Sequence, residues 1–203
     1  MCIMDYYTAG NYRETLYQED KRMNEIKKLY VLEWRGPYNS LDELYADSST
    51  IDGSIYLITG KEKYERGSEH IKYVGITERD PAVRLSDRDH KEKQAKIQRK
   101  KYWVGSFSKT SNRNTRAHAE LIETLFIHYL FIQDVRIINK DKLKKKPSVP
   151  LTVLNRWILK CEECHKVNKS SRLADLPDVL LYDGEEYWGS EKLKYLASEG
   201  HSI

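Results

Sequence analysis

An α+β fold is predicted for this 203-residue chain: a small three-stranded, mostly antiparallel sheet flanked by helices, in the order β-β-α-β-α, with helical additions at both ends. Three observations predict it. Two apolar, tyrosine-bearing runs, "SIYLIT" at 54–59 and "IKYVGIT" at 71–77, read as strands and are separated by the polar, glycine-containing loop "GKEKYERGSEH". A third run, "KYWVGSF" at 101–107, alternates enough to be a strand. The segment "RAHAELIETLFIHYLFIQ" at 116–133 carries the widest helical apolar face in the chain.

The other elements follow in order. Leu16, Met23, Ile26 and Leu29 recur at roughly helical spacing among charges, which predicts a helix over 11–33. "GPYNSLDELY" is a turn entering a short helix, with Ser40 as its N-cap. Asp80 caps a helix that starts at Pro81, where a missing N–H costs nothing, and runs through Arg84, Leu85 and His90 towards Ile97. "SKTSNRNT" is a loop by composition, and "VRIIN" at 135–139 reads as a short closing strand. In the tail, Leu151, Leu154, Ile158 and Cys161 repeat at helical spacing, "VLLYDGEEYW" at 179–188 reads as a hairpin with an Asp-Gly turn, and "SEKLKYLAS" reads as a last helix. The expected division is a helical lead-in over 1–50, a core over 51–146 and a helix-and-hairpin appendage over 147–203.

Composition narrows the function classes. The longest apolar run is interrupted by Glu123 and His128 and is too short to span a bilayer, so no membrane partner is expected. The N-terminus lacks the basic start and apolar core of a secretory signal, and the odd count of cysteines (Cys2, Cys161, Cys164) suits a reducing compartment, so the cytoplasm is the expected location. "CEECH" at 161–165 offers one cysteine pair where a structural zinc site takes two. Neither a phosphate-binding glycine-lysine loop nor a dinucleotide-binding glycine turn follows any strand. The formal charge of +4 is small, but "HKEKQAKIQRKK" (90–101) and "NKDKLKKK" (139–146) concentrate it. Lys96, Arg99, Lys100, Lys101, Lys144 and Lys145 are therefore candidates for phosphate contacts; the same stretches also fit solvated faces.

"SIY" at 54–56, "YVG" at 73–75, Arg84 on the next helix, a tryptophan-bearing strand, "AELIETLFIHYL" and a downstream Asn139 together resemble the GIY-YIG nuclease superfamily. The resemblance covers about residues 52–140. It departs from the family pattern at Ser54, where glycine is usual, in the long spacing between the triplets, and in an asparagine displaced beyond Val135. It implies a divalent-metal-dependent DNA endonuclease that hydrolyses phosphodiester bonds. Double-stranded DNA is the implied partner, Mg²⁺ or Mn²⁺ the implied cofactor, and a monomer or homodimer the implied assembly. Its implied catalytic set is Tyr56, Tyr73, Arg84, His90, Glu123 and Asn139, with Glu123 as the metal ligand. The alternative is a nucleic-acid-binding module that keeps the fold without cleaving.

The residue types suit that chemistry. Phosphodiester hydrolysis needs a positioned water, a proton acceptor and positive charge on the transition state. Arg84 near a helix N-terminus supplies charge, and Glu123, a carboxylate in an apolar helix, is costly there unless paired or bound to a cation. Glu120, one turn earlier, is the rival carboxylate. Either phenol is a candidate base, with Tyr56 the first choice and Tyr73 then positioning water or phosphate. Against this stands the reading of both tyrosines as ordinary cross-strand aromatics.

Overall fold

The computed structural model describes residues 28–48, 55–107, 116–158 and 173–190. Among these, seven strands form one sheet: β1 (Leu29–Tyr38), β2 (Ile55–Glu62), β3 (His70–Ile76), β4 (Ile97–Phe107), β5 (Leu151–Ile158), β6 (Val179–Tyr182) and β7 (Tyr187–Ser190). They lie in the order β3-β2-β4-β1-β5-β6-β7. The sheet is mixed: β1 and β5 run parallel, and every other neighbouring pair is antiparallel. Four helices accompany it among the described residues, α1 (Leu41–Ser48), α2 (Pro81–Ser86), α3 (Arg88–Gln94) and α4 (Arg116–Ile132).

This overturns the expected small three-stranded sheet with helical additions. The three expected strands are present as β2, β3 and β4, but they form only one flank. The lead-in supplies β1 and the tail supplies β5, β6 and β7, so the sheet crosses residues 50 and 146 without a break. Where a helix was expected up to residue 33, "LYVLEWRGPY" buries every second side chain, including Tyr30, Leu32, Trp34 and Tyr38. Period two with β-branched and aromatic residues is strand chemistry. Leu154 and Ile158 gave the tail its helical spacing, yet both are only half-buried, and Leu151, Val153, Asn155 and Trp157 line the core instead.

Two smaller corrections matter for the site. The helix expected from Pro81 to Ile97 is two helices, because Asp87 takes an extended backbone (φ −57°, ψ 147°) that ends α2 and opens α3. Residues 135–139 are not a strand; Ile138 N–H donates to the Lys72 carbonyl at 2.8 Å and the segment lies along the outer edge of β3. The Ser40 cap holds, its Oγ accepting from Glu43 N at 3.0 Å, and so does the 179–188 hairpin. Residues 11–27 of the helix expected over 11–33, the part of "SEKLKYLAS" after Ser190, the loop 108–115, Ser54 and all three cysteines lie outside the described residues.

The sheet buries both faces. On one, Tyr30, Leu32, Trp34, Leu57, Val74, Trp103 and Trp157 pack under α4 through Ile122, Leu125, Phe126 and Leu130. On the other, Tyr38, Tyr56, Ile58, Tyr73, Tyr102 and Val104 pack under α1 and α2 through Leu44, Ala82 and Leu85. Double burial explains why β2 reads as a continuous apolar run. Lys72 is the extra residue of a bulge between Ile71 and Tyr73, so that Ile71 and Val74, three apart, both face α4. Its ammonium is buried and paired with Glu65 at 2.7 Å. Among the described residues no helix is long and apolar enough to cross a membrane.

Candidate active site

The site is built from β2 outward. Tyr56 and Gly75 face each other across the β2–β3 ladder, and the Tyr56 ring lies over the glycine so closely that a Cβ there would stand 2.4 Å from Cζ and 2.5 Å from the hydroxyl oxygen. Tyr73, paired with Ile58, projects from the same face, and the two phenol rings stack with centroids 6.1 Å apart. α3 brings His90 edge-on to both rings, 6.0 Å from Tyr56 and 5.8 Å from Tyr73. The Tyr56 hydroxyl and His90 Nδ1 are 3.5 Å apart.

Local chemistry fixes these helices. Asp80 caps α2, its Oδ1 accepting from Ala82 N at 2.7 Å and Val83 N at 3.2 Å, with Pro81 in the first turn. Gln94 ties the end of α3 to both neighbours: its amide donates to the Leu85 carbonyl at 2.9 Å and accepts from the Tyr102 hydroxyl at 2.8 Å. Asp87, between the helices, accepts from Arg84 Nη1 at 2.8 Å and Arg79 Nη2 at 2.6 Å. Those two hydrogen bonds, Arg84 first, hold its carboxyl below the usual range. Arg84 thus has an anchored guanidinium whose side chain remains 37% exposed.

A cleft of about 630 Å³ opens beside this cluster, with Tyr73, Lys93, Lys96, Glu123, Asn139 and Lys142 in its wall. Tyr73 is the phenol that reaches it; Tyr56, 1% exposed, stands behind. Lys93 Nζ sits 5.5 Å from the Tyr73 ring centroid. Glu123 projects from α4 with its side chain 13% exposed and accepts from Lys142 Nζ at 2.5 Å. Glu120, the rival, pairs with Arg116 on the exposed face of α4. Asn139 spends its side chain on the backbone of β3: Oδ1 accepts from Val74 N at 3.0 Å and Nδ2 donates to the Val74 carbonyl at 2.8 Å. It closes a sheet edge beside the cleft, as an extra peptide unit would.

Of the implied catalytic set, Tyr56, Tyr73 and His90 are in ring contact, with the charge of Arg84 close enough to bear on Tyr56 and His90; Glu123 and Asn139 share the cleft wall with Tyr73, and Tyr56, Arg84 and His90 stand outside that wall. The implied DNA contacts are scattered. Of those six, Lys96 alone is in the cleft wall; Arg99 is exposed in a β4 bulge at φ 52°. Lys100 reaches the Gln94 carbonyl at 3.4 Å, and Lys101 pairs with Glu69 at 2.8 Å. Lys144 and Lys145 are exposed in the coil after Lys142. Sequence reading missed Lys93 and Lys142. One signal was present: Lys93 follows His90 by the three positions that place side chains on one helical face.

The electrostatics differ from the simple expectation of a phenolate. Burial, and then the adjacent Tyr73, push the Tyr56 phenol well above its ordinary value against the opposing pull of Arg84. Burial, and then the charges of Arg84 and Lys93, draw His90 below the ordinary imidazole value. Near neutral pH Tyr56 is a neutral phenol and His90 a neutral imidazole.

Among the described residues no three His, Cys, Asp or Glu side chains cluster as a metal cage would require. The donor set fits a different kind of site. Mg²⁺ and Mn²⁺ are hard cations, and Mg²⁺ is held by one or two carboxylates while keeping its waters and taking phosphate oxygens from substrate. Glu123, which shares the wall of a water-accessible cleft with Asp89, Glu92 and Asp141 and is paired there with Lys142, is a carboxylate of that chemistry. Compared with family models, with curated proteins and with solved structures, the chain matches none.

Proposed function

We propose that the chain is a DNA endonuclease of the GIY-YIG type, hydrolysing phosphodiester bonds with Mg²⁺ or Mn²⁺ at the cleft beside Tyr73. The convergence of Tyr56, Tyr73, Arg84, His90 and Glu123 from two strands and three helices supports this reading most. A buried aromatic pair needs neither an imidazole at its hydroxyl end nor an anchored guanidinium nearby; a phosphate-cleaving site can use the first as proton acceptor and the second as positive charge.

Each residue has a task in that reading. Arg84, pre-oriented by Asp87, directs its remaining donors to the non-bridging oxygens of the phosphate. Lys93 and Lys96 add positive charge on the cleft wall. Tyr73 orients the attacking water at the wall. The water's proton enters the phenol row and leaves it through the Tyr56 hydroxyl to His90 Nδ1, the neutral base available at neutral pH. A divalent cation on Glu123, when bound, withdraws charge from the phosphate. Asn139 holds the coil after α4 against β3 and acts on the cleft only through that support.

The test is nicking of a supercoiled plasmid in Mg²⁺, in Mn²⁺ and in EDTA, with DNA retention measured alongside. Wild-type protein should nick in either metal and not in EDTA, and Glu123→Ala should bind DNA but lose cleavage, by about 10³-fold or more as for other groups stabilising transition-state charge. Retention without nicking in both metals would instead favour the non-catalytic binding module. No salt-sensitive retention on DNA would remove nucleic acid as the partner.

A further inference from the structure

The Glu123–Lys142 pair is the strongest unexplained feature of the cleft. Lys142 lies in the coil after α4, nineteen positions from Glu123, and reaches back to place Nζ against its carboxylate. Its backbone is left-handed, at φ 67°. A side chain bearing Cβ occupies that region at a cost, and such costs persist where the surroundings demand the conformation. The pair is partly shielded, with side chains 26% and 13% exposed. The same cleft wall carries Lys93, Lys96 and Lys140 together with Asp89, Glu92 and Asp141, so an ammonium displaced from Glu123 stands beside charges of both signs, and an incoming phosphate adds one more acceptor for it.

We propose that Lys142 is a built-in counter-ion that competes with the divalent cation for Glu123 and moves to the DNA phosphate when the two bind together. The carboxylate accepts one cation at a time at the oxygen that faces Lys142. In free protein that cation is the ammonium, which keeps the divalent ion weakly held. When DNA arrives, a phosphate takes Lys142, Glu123 is released to the metal, and metal and DNA binding become mutually reinforcing. Reciprocity is required by linkage: whatever DNA does for metal affinity, metal does for DNA affinity. This inference rests on the nuclease reading for both the cation and the anion, but its first arm needs no DNA.

That arm is Mn²⁺ binding to free protein, followed by the paramagnetic signal of the unbound ion. Lys142→Gln removes the competing charge and should bind Mn²⁺ about tenfold more tightly than wild type, the worth of one charge-assisted hydrogen bond of about 1.4 kcal/mol. Lys142→Arg keeps the charge and should stay near wild type, and adding Glu123→Gln to Lys142→Gln should abolish the gain. The second arm is DNA affinity without metal, where Lys142→Gln should bind more weakly with a salt slope shallower by about one. Should the variants fold poorly, carbodiimide coupling of the unmodified protein gives the same answer: a Glu123–Lys142 amide forms in metal-free buffer and is suppressed by Mn²⁺. Unchanged or weaker Mn²⁺ binding in Lys142→Gln, a gain that survives loss of Glu123, or coupling insensitive to Mn²⁺ would overturn the proposal. Wild-type protein that shows the Mn²⁺ effect but never retains DNA would leave the competition standing and reject the nuclease reading.

Discussion

The two faces of the sheet use aromatic residues in opposite ways. Under α4 the large side chains are Trp34, Trp103 and Trp157, with Trp34 stacked on Trp157 at 5.8 Å and Trp103 edge-on to Trp157 at 5.5 Å. Under α1 and α2 they are Tyr38, Tyr56, Tyr73 and Tyr102. Indoles bring area and a single donor, and two of these donors are satisfied inside the core, Trp34 by Asn155 at 2.8 Å and Trp157 by Asp178 at 2.9 Å. Phenols bring a hydroxyl that can also accept. Two of the four hydroxyls are fastened to firm acceptors, Tyr38 to Asp47 at 2.6 Å and Tyr102 to Gln94 at 2.8 Å. The pair next to His90 is held less tightly. Composition alone made all four look alike; their partners separate two fastened to firm acceptors from two that stand against His90.

A matched pair of glycines offers the sharpest way to break the comparison. Gly75 lies under the Tyr56 ring on the tyrosine face, and Gly105 lies under the Trp34 ring on the tryptophan face, where a Cβ would meet Cζ3 at 2.9 Å. Alanine at either position forces a ring to move, an overpacking cost of about 1–3 kcal/mol. The expected outcomes diverge in function. Gly75→Ala should slow single-turnover cleavage by at least about a hundredfold in protein that remains folded, because the displaced ring is the one on the proposed proton path. Gly105→Ala should lower the melting temperature comparably and leave the rate of the folded fraction near wild type. Equal loss of rate in both would mean that the site follows global stability rather than the placement of Tyr56.

Removing single oxygen atoms is gentler. Tyr73→Phe and Tyr56→Phe keep the rings and their stacking, and each should reduce cleavage by about 10²-fold, the lower end for a positioned acid–base group. Tyr102→Phe and Tyr38→Phe should instead cost about 0.5–1.5 kcal/mol of stability with little change in rate, since only a structural hydrogen bond is lost. Single-turnover rates and thermal unfolding on the four variants would make the division visible, and a Tyr102→Phe rate as low as that of Tyr73→Phe would erase it.

How much of this was legible in the sequence depended on whether the signal was local. β2, β3, β4, α1 and α4 announced themselves through continuous apolar runs, the Ser40 cap and a wide apolar stripe. The Asp80 cap located the start of α2, but the break at Asp87 did not show, because a short polar helix following another has the same composition as one long helix. β1 and β5 were misread for a common reason: apolar residues three or four apart, such as Ile26 and Leu29 or Leu154 and Ile158, imitate a helix, and the alternation that counts passes through Tyr30, Trp34, Asn155 and Trp157. Their parallel pairing joins Leu32 to Asn155, and nothing local encodes a contact at that separation. The same limit hid Lys142 behind Glu123 and the Tyr56 ring over Gly75. Asn139, displaced from the position of the family pattern, lines the cleft, yet its amide is committed to Val74, a use no spacing could reveal.

The smallest expected effect compares two histidines, one from each face. His90 stands against the tyrosine pair, and His128 on α4 shares a 2.8 Å hydrogen bond with the Tyr187 hydroxyl. Burial lowers both below the ordinary imidazole value of about 6.5, with Arg84 and Lys93 adding to His90 and Lys146 to His128. Each therefore favours its neutral form when folded, and the unfolded chain binds more protons at mildly acidic pH. Their stabilising contribution is complete above the unfolded value and is lost as pH falls through the depressed folded values. The melting temperature should accordingly decline as pH drops below about 6.5, before the depressed carboxyls of Glu65 and Asp87 begin to protonate in a lower window. His128→Gln and His90→Gln should each flatten part of that decline. Only His90 should also appear in catalysis: the cleavage rate should rise with pH along an acid limb of unit slope whose midpoint lies below the ordinary imidazole range. His128→Gln should keep that limb, and His90→Gln should lose both the limb and most of the rate. An acid limb unchanged in His90→Gln would move the terminal proton acceptor elsewhere and leave His90 as a packing residue of the tyrosine face.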